Sequence, residues 1–298
     1  MATGNEILFE VLATEGVEHV FGNPGSTELP FIDALADHPE IGYVLALQEA
    51  TAVAMADGYA QVTRRPAFVN LHTSAGLGNA VGNLTNARAN GTPLVITAGN
   101  ADRRHLVADP LLSGDLVGLA RGTVKWGAEV HRADDLGVVL RRAFRDASTP
   151  PTGPVFVSIP MDVLDEPGGT TPPRSPRPEP AIAGGLDELA ALLVDGGEGD
   201  VAIVAGEAIA SAGALDEITA LAERLVAPVF GAPLYSALVF PTDHALWRGM
   251  LNPRADAIAS TLSSYRRVLV VGDQAFLVYP YSEGSPVPAT TEVLHLAA

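Results

Sequence analysis

Residues Tyr43–Ala50 read Tyr-Val-Leu-Ala-Leu-Gln-Glu-Ala, an apolar run that ends on Gln48 and Glu49. The run Val44–Leu47 is typical of a parallel strand that is buried on both faces of a sheet. The residues that follow, Ala50–Ala60, repeat apolar side chains at helical spacing. Glu49 is therefore predicted to stand where a buried strand gives way to a helix.

This position makes Glu49 a candidate catalytic residue. Ligands and catalytic groups in open α/β sheets gather at the carboxyl ends of the strands. Apolar neighbours at such a place favour the acid form of a carboxyl group, so Glu49 is predicted to be a proton donor near neutral pH. The structural alternative is that a glutamate in the first turn of a helix only stabilises the helix dipole.

A second strand end precedes this one in the chain. A short strand is predicted over Val17–Phe21, and the turn Gly22–Glu28 follows it. Ser26 or Thr27 is predicted to cap a helix that runs to about Asp37. The N–H groups at such a helix start attract a carboxylate or another anion, although the same residues also form ordinary turns and caps.

A third strand end carries an imidazole. The strand Pro66–Leu71 leads into His72, and small residues from there to Asn79 allow another group to approach the backbone closely. A helix is predicted to begin at about Asn79. A lone histidine at a strand end is often structural, but Glu49, Ser26 and His72 fall at three strand ends of one sheet. Their coincidence at one edge indicates a site.

The length and composition of the chain limit the class of protein to which it can belong. The chain has 298 residues with 47% apolar content, which is enough for about two domains with cores. A formal charge of −17 disfavours nucleic acid and anionic membranes as partners. There is no cysteine for a disulfide or a thiolate metal site. Since no signal peptide or membrane-spanning run is recognisable, a cytoplasmic protein is expected.

Strands that alternate with helices predict an α/β fold with two three-layer domains, each a parallel sheet covered on both faces. The proline-rich stretch from Pro167 to Pro180 marks the boundary, so the domains are placed at residues 1–165 and 182–298 with a linker at 166–181. Thr291–Leu296 is predicted as a final strand. The covering helix expected after it is missing, which predicts either a truncated second domain or another cover for that edge.

Several motifs occur together, in order and at fixed spacing. They are Phe-Gly-Asn-Pro-Gly-Ser at 21–26, Ala-Leu-Gln-Glu-Ala at 46–50, Ala-Asp-Gly-Tyr-Ala at 56–60 and Asn-Leu-His at 70–72. Val-Lys-Trp at 124–126 and Gly-Pro-Val-Phe-Val-Ser-Ile-Pro at 153–160 extend the pattern. In these motifs the chain resembles thiamine-diphosphate-dependent enzymes, in particular the benzoylformate decarboxylase type, over nearly its whole length.

The resemblance implies a cofactor and a set of roles. Residues 1–165 would be the pyrimidine-binding domain and residues 182–298 the middle domain. Glu49 would hydrogen-bond the pyrimidine ring nitrogen of thiamine diphosphate and promote its imino tautomer, with Pro24 and Asn79 as further cofactor-binding residues. The cofactor would carry the difficult chemistry, while the protein would supply position and proton control.

The same resemblance implies a substrate site for a 2-oxo acid. His72 would handle protons at the substrate oxygen, and Ser26 would hold the substrate carboxylate. Leu111 and Leu112 fall where the family lines its pocket with apolar side chains, which suits an aryl or other apolar 2-oxo acid. Tyr279 stands where these decarboxylases bring a second histidine. Because a phenol titrates several pH units above an imidazole, release of the aldehyde is the half-reaction that this change affects, unless Tyr279 is only a packed aromatic.

The sequence also departs from the family by lacking the diphosphate-binding domain. There is no Gly-Asp-Gly segment with a downstream Asn-Asn pair, and Gly272-Asp273-Gln274 does not replace it. We therefore expect Mg²⁺ to be bound by the missing or partner domain and no metal ligand in this chain. No adenine-nucleotide signature is present, so FAD is not expected. The isolated polypeptide is predicted to bind the cofactor poorly, to lack turnover, and to need a C-terminal half or subunit within a homo- or hetero-oligomer.

Three functions follow from the sequence. The leading hypothesis is the N-terminal half or subunit of a non-oxidative 2-oxo acid decarboxylase of the benzoylformate type. An alternative is a carboligase of the acetolactate synthase or benzaldehyde lyase type, and His72 with the Asn-Pro-Gly-Ser turn favours the decarboxylase. The third is a binding or regulatory remnant of the fold without chemistry. Retention of Glu49 and His72 favours an enzyme over this remnant.

Overall fold

The computed structural model describes residues 2–174, 183–195, 197, 199–272 and 276–297. The chain divides into two compact units, residues 1–179 and 180–298. Within the described ranges, no helix combines the length and the apolar character that crossing a membrane requires.

The first unit is a six-stranded parallel sheet with helices on both faces, and its strand order is β2-β1-β3-β4-β6-β5. The elements in chain order are α1 (Gly4–Glu15), β1 (His19–Gly22), α2 (Leu29–Ala34), β2 (Gly42–Leu45), α3 (Glu49–Thr63), β3 (Ala67–Leu71), α4 (Thr73–Ala89), β4 (Leu94–Asn100), α5 (Leu116–Ala120), β5 (Trp126–Glu129), α6 (Ala133–Ser148), β6 (Val155–Pro160) and α7 (Met161–Asp165).

Strand residues alternate between two cores, one on each face of this sheet. Phe68 and Val95 pack with α1 and α6, whereas their neighbours Val69 and Ile96 pack with α3 and α4. This period-two division of fully buried residues is the pattern of central parallel strands. It confirms the predicted three-layer α/β arrangement.

The strand before Glu49 differs from the expectation. Among the described residues, β2 is an edge strand whose one neighbour in the sheet is β1, and Leu45 and Leu47 are 60% and 92% exposed. The prediction that this run is buried on both faces was therefore wrong. A run of apolar letters does not reveal whether a strand is central or at an edge, because that depends on pairings formed elsewhere in the chain.

The helix after His72 begins six residues earlier than predicted. α4 starts at Thr73, and the segment expected to be an open loop up to Asn79 forms its first two turns. The helix after the Gly22–Glu28 turn is broken into a 3₁₀ turn at Ser26–Glu28, α2, and a second 3₁₀ turn at Leu35–Asp37. Here the N-cap is Gly25, not Ser26 or Thr27.

The second unit is a five-stranded parallel sheet of order β11-β10-β7-β8-β9, with helices on both faces. The predicted final strand is present at the sheet edge, and the strand at Trp247 was not predicted. The elements are α8 (Leu186–Val194), β7 (Val201–Ala205), α9 (Ala208–Ala212), α10 (Leu215–Leu225), β8 (Val229–Gly231), β9 (Trp247–Met250), α11 (Ala255–Leu262), β10 (Arg267–Val271) and β11 (Glu292–Leu296).

The first half of the predicted linker packs on the first unit. The N–H of Gly168 donates to the carbonyl of Ala2 at 2.7 Å, and the carbonyl of Pro172 accepts from Nε of the buried Arg141 at 3.0 Å. Arg141 also pairs with the buried carboxylate of Glu15 at 2.6 Å. Residues 166–174 are thus tied to α1 and α6, while residues 175–181 of the predicted linker lie outside the described residues.

The partly buried phenol of Tyr43, near the carboxyl edge of the first sheet, predicts a pH dependence of unfolding. The hydroxyl of Tyr43 packs over Gly22 and donates to Oδ1 of Asn70 at 3.4 Å. Burial, and secondarily the negative charge of Glu28, raises the pKa of Tyr43 well above its usual value.

Because the folded chain keeps the Tyr43 proton after the unfolded chain has lost it, this side chain makes unfolding easier as pH rises above about 10, by about 1.4 kcal/mol per pH unit. Below that pH its contribution is constant. In urea unfolding at pH 8 to 11.5, Tyr43→Phe should therefore show a shallower loss of stability above pH 10 than the wild type. Equal slopes in the two proteins would contradict the assignment.

Candidate active site

The carboxylate of Glu49 is held by two side-chain amides at the carboxyl edge of the first sheet. Glu49 is the first residue of α3, whose N-cap Gln48 accepts from the N–H of Thr51. It is 8% exposed. Its Oε1 accepts from Nδ2 of Asn23 at 3.1 Å, and its Oε2 accepts from Nδ2 of Asn79 at 3.0 Å.

These contacts revise the expected surroundings of Glu49. The sequence predicted apolar neighbours, but each carboxylate oxygen has an amide donor. Donors on both oxygens fix the plane of the carboxylate, since rotation would break both hydrogen bonds. The group is therefore oriented as well as buried.

Glu49 and His72 approach each other across Gly76 of α4. A Cβ atom placed on Gly76 would lie 3.2 Å from Oε1 of Glu49 and 3.5 Å from Cβ of His72. Glycine at this position leaves the carboxylate free of a neighbouring side chain. The structure thus brings together two of the residues that the strand ends predicted.

His72 is paired with a second carboxylate, that of Glu28. Nδ1 of His72 lies 2.8 Å from Oε2 of Glu28 and 3.1 Å from Oγ1 of Thr27. The Glu28 side chain is only 2% exposed, against 20% for His72. The remaining partners of the Glu28 carboxylate are all donors: the N–H of Gly25 at 2.8 Å, the N–H of Gly99 at 2.9 Å and the hydroxyl of Thr27 at 2.7 Å.

This pairing selects the tautomer of the imidazole. An ionised carboxylate only accepts hydrogen bonds, so the proton lies on Nδ1 of His72, which donates to Glu28. In the neutral ring, Nε2 is then the acceptor that is left for other partners. The pair is a carboxylate-oriented histidine, an arrangement suited to general acid and base work.

Gly25 allows the turn to lie against this imidazole. A Cβ atom on Gly25 would be 2.4 Å from both Cγ and Nδ1 of His72, closer than any side chain tolerates. Pro24 precedes this contact and Ser26, which is exposed, follows it. The predicted site residues Pro24 and Ser26 therefore flank the residue that touches His72.

The predicted pocket residues are more exposed than the expectation implied. Leu111 is 90% exposed and Leu112 is 37% exposed. The carbonyl of Leu112 accepts from the hydroxyl of Ser74, two residues beyond His72, at 2.8 Å. Tyr279 belongs to the second unit, where it is 69% exposed and its N–H donates to the carbonyl of Pro253 at 2.8 Å.

Four contributors to this site were not predicted: Asn23, Thr27, Glu28 and Gly99. One sequence signal could have found Glu28: a glutamate three residues after the N-cap can accept from the N-cap N–H, as Glu28 does from Gly25. Asn23 and Gly99 had no such signal. Their roles depend on residues 26 and 71 positions away in the chain.

The chemistry of these groups fits one end of a thiamine cofactor. A buried, oriented carboxylate suits a ring nitrogen that accepts a hydrogen bond or a proton, and Gly76 places no side chain against that carboxylate. Among the residues that the structure describes, no group of three His, Asp or Glu side chains is arranged to hold a metal ion.

Comparison with known proteins finds similarity to thiamine pyrophosphate enzymes. The family described as thiamine pyrophosphate enzyme, N-terminal TPP binding domain, matches residues 2–118. Benzoylformate decarboxylase of Pseudomonas aeruginosa is 38% identical over 303 residues, which span 99% of this chain and 56% of that protein. The acetolactate synthase large subunit of Haemophilus influenzae is 32% identical over 87% of this chain and 46% of its own length.

A solved structure extends the similarity to the fold. The benzoylformate decarboxylase structure from Polynucleobacter necessarius superimposes with a TM-score of 0.93 at 36% identity, covering 100% of this chain and 56% of that one. The chain spans about half the length of the curated relatives it matches. The two units thus match the N-terminal TPP binding and middle domains of thiamine-diphosphate-dependent enzymes, the family that this chain resembles in sequence and fold.

Proposed function

We propose that this chain is the N-terminal half or subunit of a thiamine-diphosphate-dependent 2-oxo acid decarboxylase acting on an aryl or other apolar 2-oxo acid. In this proposal residues 1–165 form the pyrimidine-binding domain and residues 182–298 the middle domain. The observation that carries it is the pair of buried carboxylates at one sheet edge, Glu49 held by two amides and Glu28 paired with His72.

In the proposed enzyme Glu49 binds the pyrimidine end of the cofactor. Its carboxyl group hydrogen-bonds the ring nitrogen, with Asn79 orienting the carboxylate and Pro24 packing beside the ring. The chemistry that thiamine diphosphate supplies when bound is an acceptor for the electrons released as carbon dioxide leaves. Glu49 contributes control of one proton at the edge of that ring.

His72 and Ser26 act on the substrate in this proposal. With its Nδ1 proton committed to Glu28, His72 uses Nε2 to exchange a proton with the substrate oxygen. The exposed hydroxyl of Ser26 donates to the substrate carboxylate. Leu111 and Leu112 contact the apolar side chain of the substrate.

A C-terminal diphosphate-binding half or subunit, carrying Mg²⁺, completes the proposed site within an oligomer. Leu45 and Leu47 precede Glu49 and are 60% and 92% exposed, and Leu29, which follows Glu28, is 62% exposed. Leucines this exposed beside two buried carboxylates favour a protein partner over solvent. Without that partner, the chain should bind thiamine diphosphate weakly and show no turnover.

Carboligation is the second candidate, and the likeness to acetolactate synthase supports it. Both reactions use the same cofactor and the same glutamate. They differ in the second half of the cycle, where the decarboxylase takes up a proton and releases an aldehyde, whereas the carboligase takes up a second carbonyl compound. Product analysis with a 2-oxo acid alone, and then with an added acceptor aldehyde, separates the two. Free aldehyde as the main product in both cases supports the decarboxylase.

Reconstitution tests the proposal directly. The chain is mixed with, or fused to, the remaining C-terminal part of the Pseudomonas aeruginosa relative, with Mg²⁺ and thiamine diphosphate. We expect benzaldehyde and carbon dioxide from benzoylformate with both parts present and none with either part alone. A complex that binds the cofactor tightly but releases no carbon dioxide from benzoylformate or other apolar 2-oxo acids would contradict the proposed activity.

A further inference from the structure

The two leucines assigned to the substrate pocket lie on a tight turn after β4. The segment after this strand forms a 3₁₀ helix at Arg103–Ala108 and then a turn in which the N–H of Ser113 donates to the carbonyl of Pro110 at 3.1 Å. Leu112 has a φ of 68°, a left-handed conformation that is costly for a residue with a side chain. A turn held in this conformation needs contacts that keep it there.

Both ends of this segment are anchored. At its start, Nε of Arg103 donates to Oδ2 of Asp162 at 2.8 Å, and Arg103 also pairs with Glu166 at 2.7 Å. At its end, Leu116 of α5 is 1% exposed, and the carboxylate of Asp115 caps that helix. The anchors fix where the segment leaves and rejoins the first unit, but they do not contact the turn at 110–113.

One side chain ties the turn to the rest of the site. The hydroxyl of Ser74, in the first turn of α4, donates to the carbonyl of Leu112 at 2.8 Å. Across the described ranges, no other hydrogen bond joins residues 110–113 to another element. Ser74 is also separated by a single residue from His72, so one short piece of backbone carries both the imidazole and the tether.

We propose that Ser74 is a positioning residue that sets substrate specificity, an inference that rests on the proposed function. Its hydroxyl holds the Leu112 carbonyl and thereby the left-handed turn, which keeps Leu111 and Leu112 at a fixed distance from His72. The leucine pair then presents a constant apolar surface to the substrate side chain. Ser74 touches neither substrate nor cofactor, and it acts only through the turn.

Hydrogen exchange on the chain itself tests the tether. In Ser74→Ala, the amide of Ser113, which donates to the carbonyl of Pro110 within the turn, should exchange roughly three- to tenfold faster than in the wild type, because the turn opens more often without its tether. Ser113→Ala is the matched control, because it makes the same chemical change within the turn and removes no hydrogen bond of the tether. Ser74→Thr keeps a hydroxyl and should restore slow exchange. Unchanged exchange in Ser74→Ala, or equal acceleration in Ser113→Ala, would overturn the proposal.

Kinetics of the reconstituted enzyme provide the second test. Ser74→Ala should lower the ratio of kcat/KM for benzoylformate to that for pyruvate by at least threefold, through a higher KM for benzoylformate, with kcat for pyruvate unchanged. A fall in kcat for both substrates without a change in their ratio would show a structural role only, and would overturn the inference. If the wild-type enzyme turns over neither substrate, the proposed function fails. The exchange experiment then still shows whether the tether exists.

Discussion

In the reconstituted enzyme, Glu49→Gln is expected to lower kcat/KM for benzoylformate at least a hundredfold, the usual effect of removing a positioned proton-transfer group. Glutamine has nearly the same shape, so the fold should persist. It cannot exchange a proton with a ring nitrogen, and its NH₂ group would face one of the two amide donors from Asn23 and Asn79. Steady-state kinetics measure the loss of turnover, and calorimetric titration with thiamine diphosphate measures any loss of cofactor affinity.

Glu40→Gln is the control for this variant. Glu40 is an exposed carboxylate beside His38 in the same unit, and the substitution makes the same change of atoms away from the sheet edge. It should leave turnover and cofactor affinity at wild-type levels. If Glu49→Gln retained more than a tenth of wild-type kcat/KM while Glu40→Gln was normal, Glu49 would not be the proton-handling group.

Glu28→Gln is expected to produce the largest loss of stability among single substitutions at this edge, about 2 to 4 kcal/mol. The buried carboxylate of Glu28 accepts from Gly25, Thr27, His72 and Gly99. Glutamine has only one acceptor oxygen, so its NH₂ group would point at N–H or O–H donors. Buried donors without acceptors, together with an unsupported imidazole, account for the loss.

Fluorescence can measure this loss in one unit at a time. The chain has two tryptophans, Trp126 in β5 of the first unit and Trp247 in β9 of the second. In a Trp247→Phe background, urea unfolding followed through Trp126 reports on the first unit. Glu28→Gln should shift the midpoint strongly, and Glu40→Gln should leave it nearly unchanged. Equal midpoints for the two variants would mean that the Glu28 network is not structural.

The fold was predictable from the sequence because its signals are local. Runs such as Val201–Ala205 and Val268–Val271, bounded by turn residues and helical periodicity, identify parallel strands in sequence order. The edge position of β2 was not predictable in the same way. Whether Leu45 and Leu47 are covered depends on the order of strands in the sheet, which is a tertiary property.

The same distinction between local signals and tertiary contacts applies to the site residues. Glu49 and His72 follow apolar runs that are typical of strands, so the sequence alone predicted both as strand-end residues. Glu28 was missed although it lies in the quoted turn, because its partner His72 is 44 residues away and its other donors are backbone N–H groups. The resemblance to a known family supplied roles for residues such as Asn79, whereas the amide of Asn23 became visible only in the structure.

In the proposed enzyme, the Glu49 carboxyl group controls a proton of thiamine diphosphate once a diphosphate-binding half is present. The measurement that tests it most directly is hydrogen–deuterium exchange at the thiazolium carbon of the cofactor, followed by quenched-flow NMR in the reconstituted enzyme. We expect exchange in the wild type that is much faster than for free cofactor, and exchange in Glu49→Gln that falls toward the free rate although the cofactor is bound. Equally fast exchange in wild type and Glu49→Gln, at saturating cofactor, would contradict it.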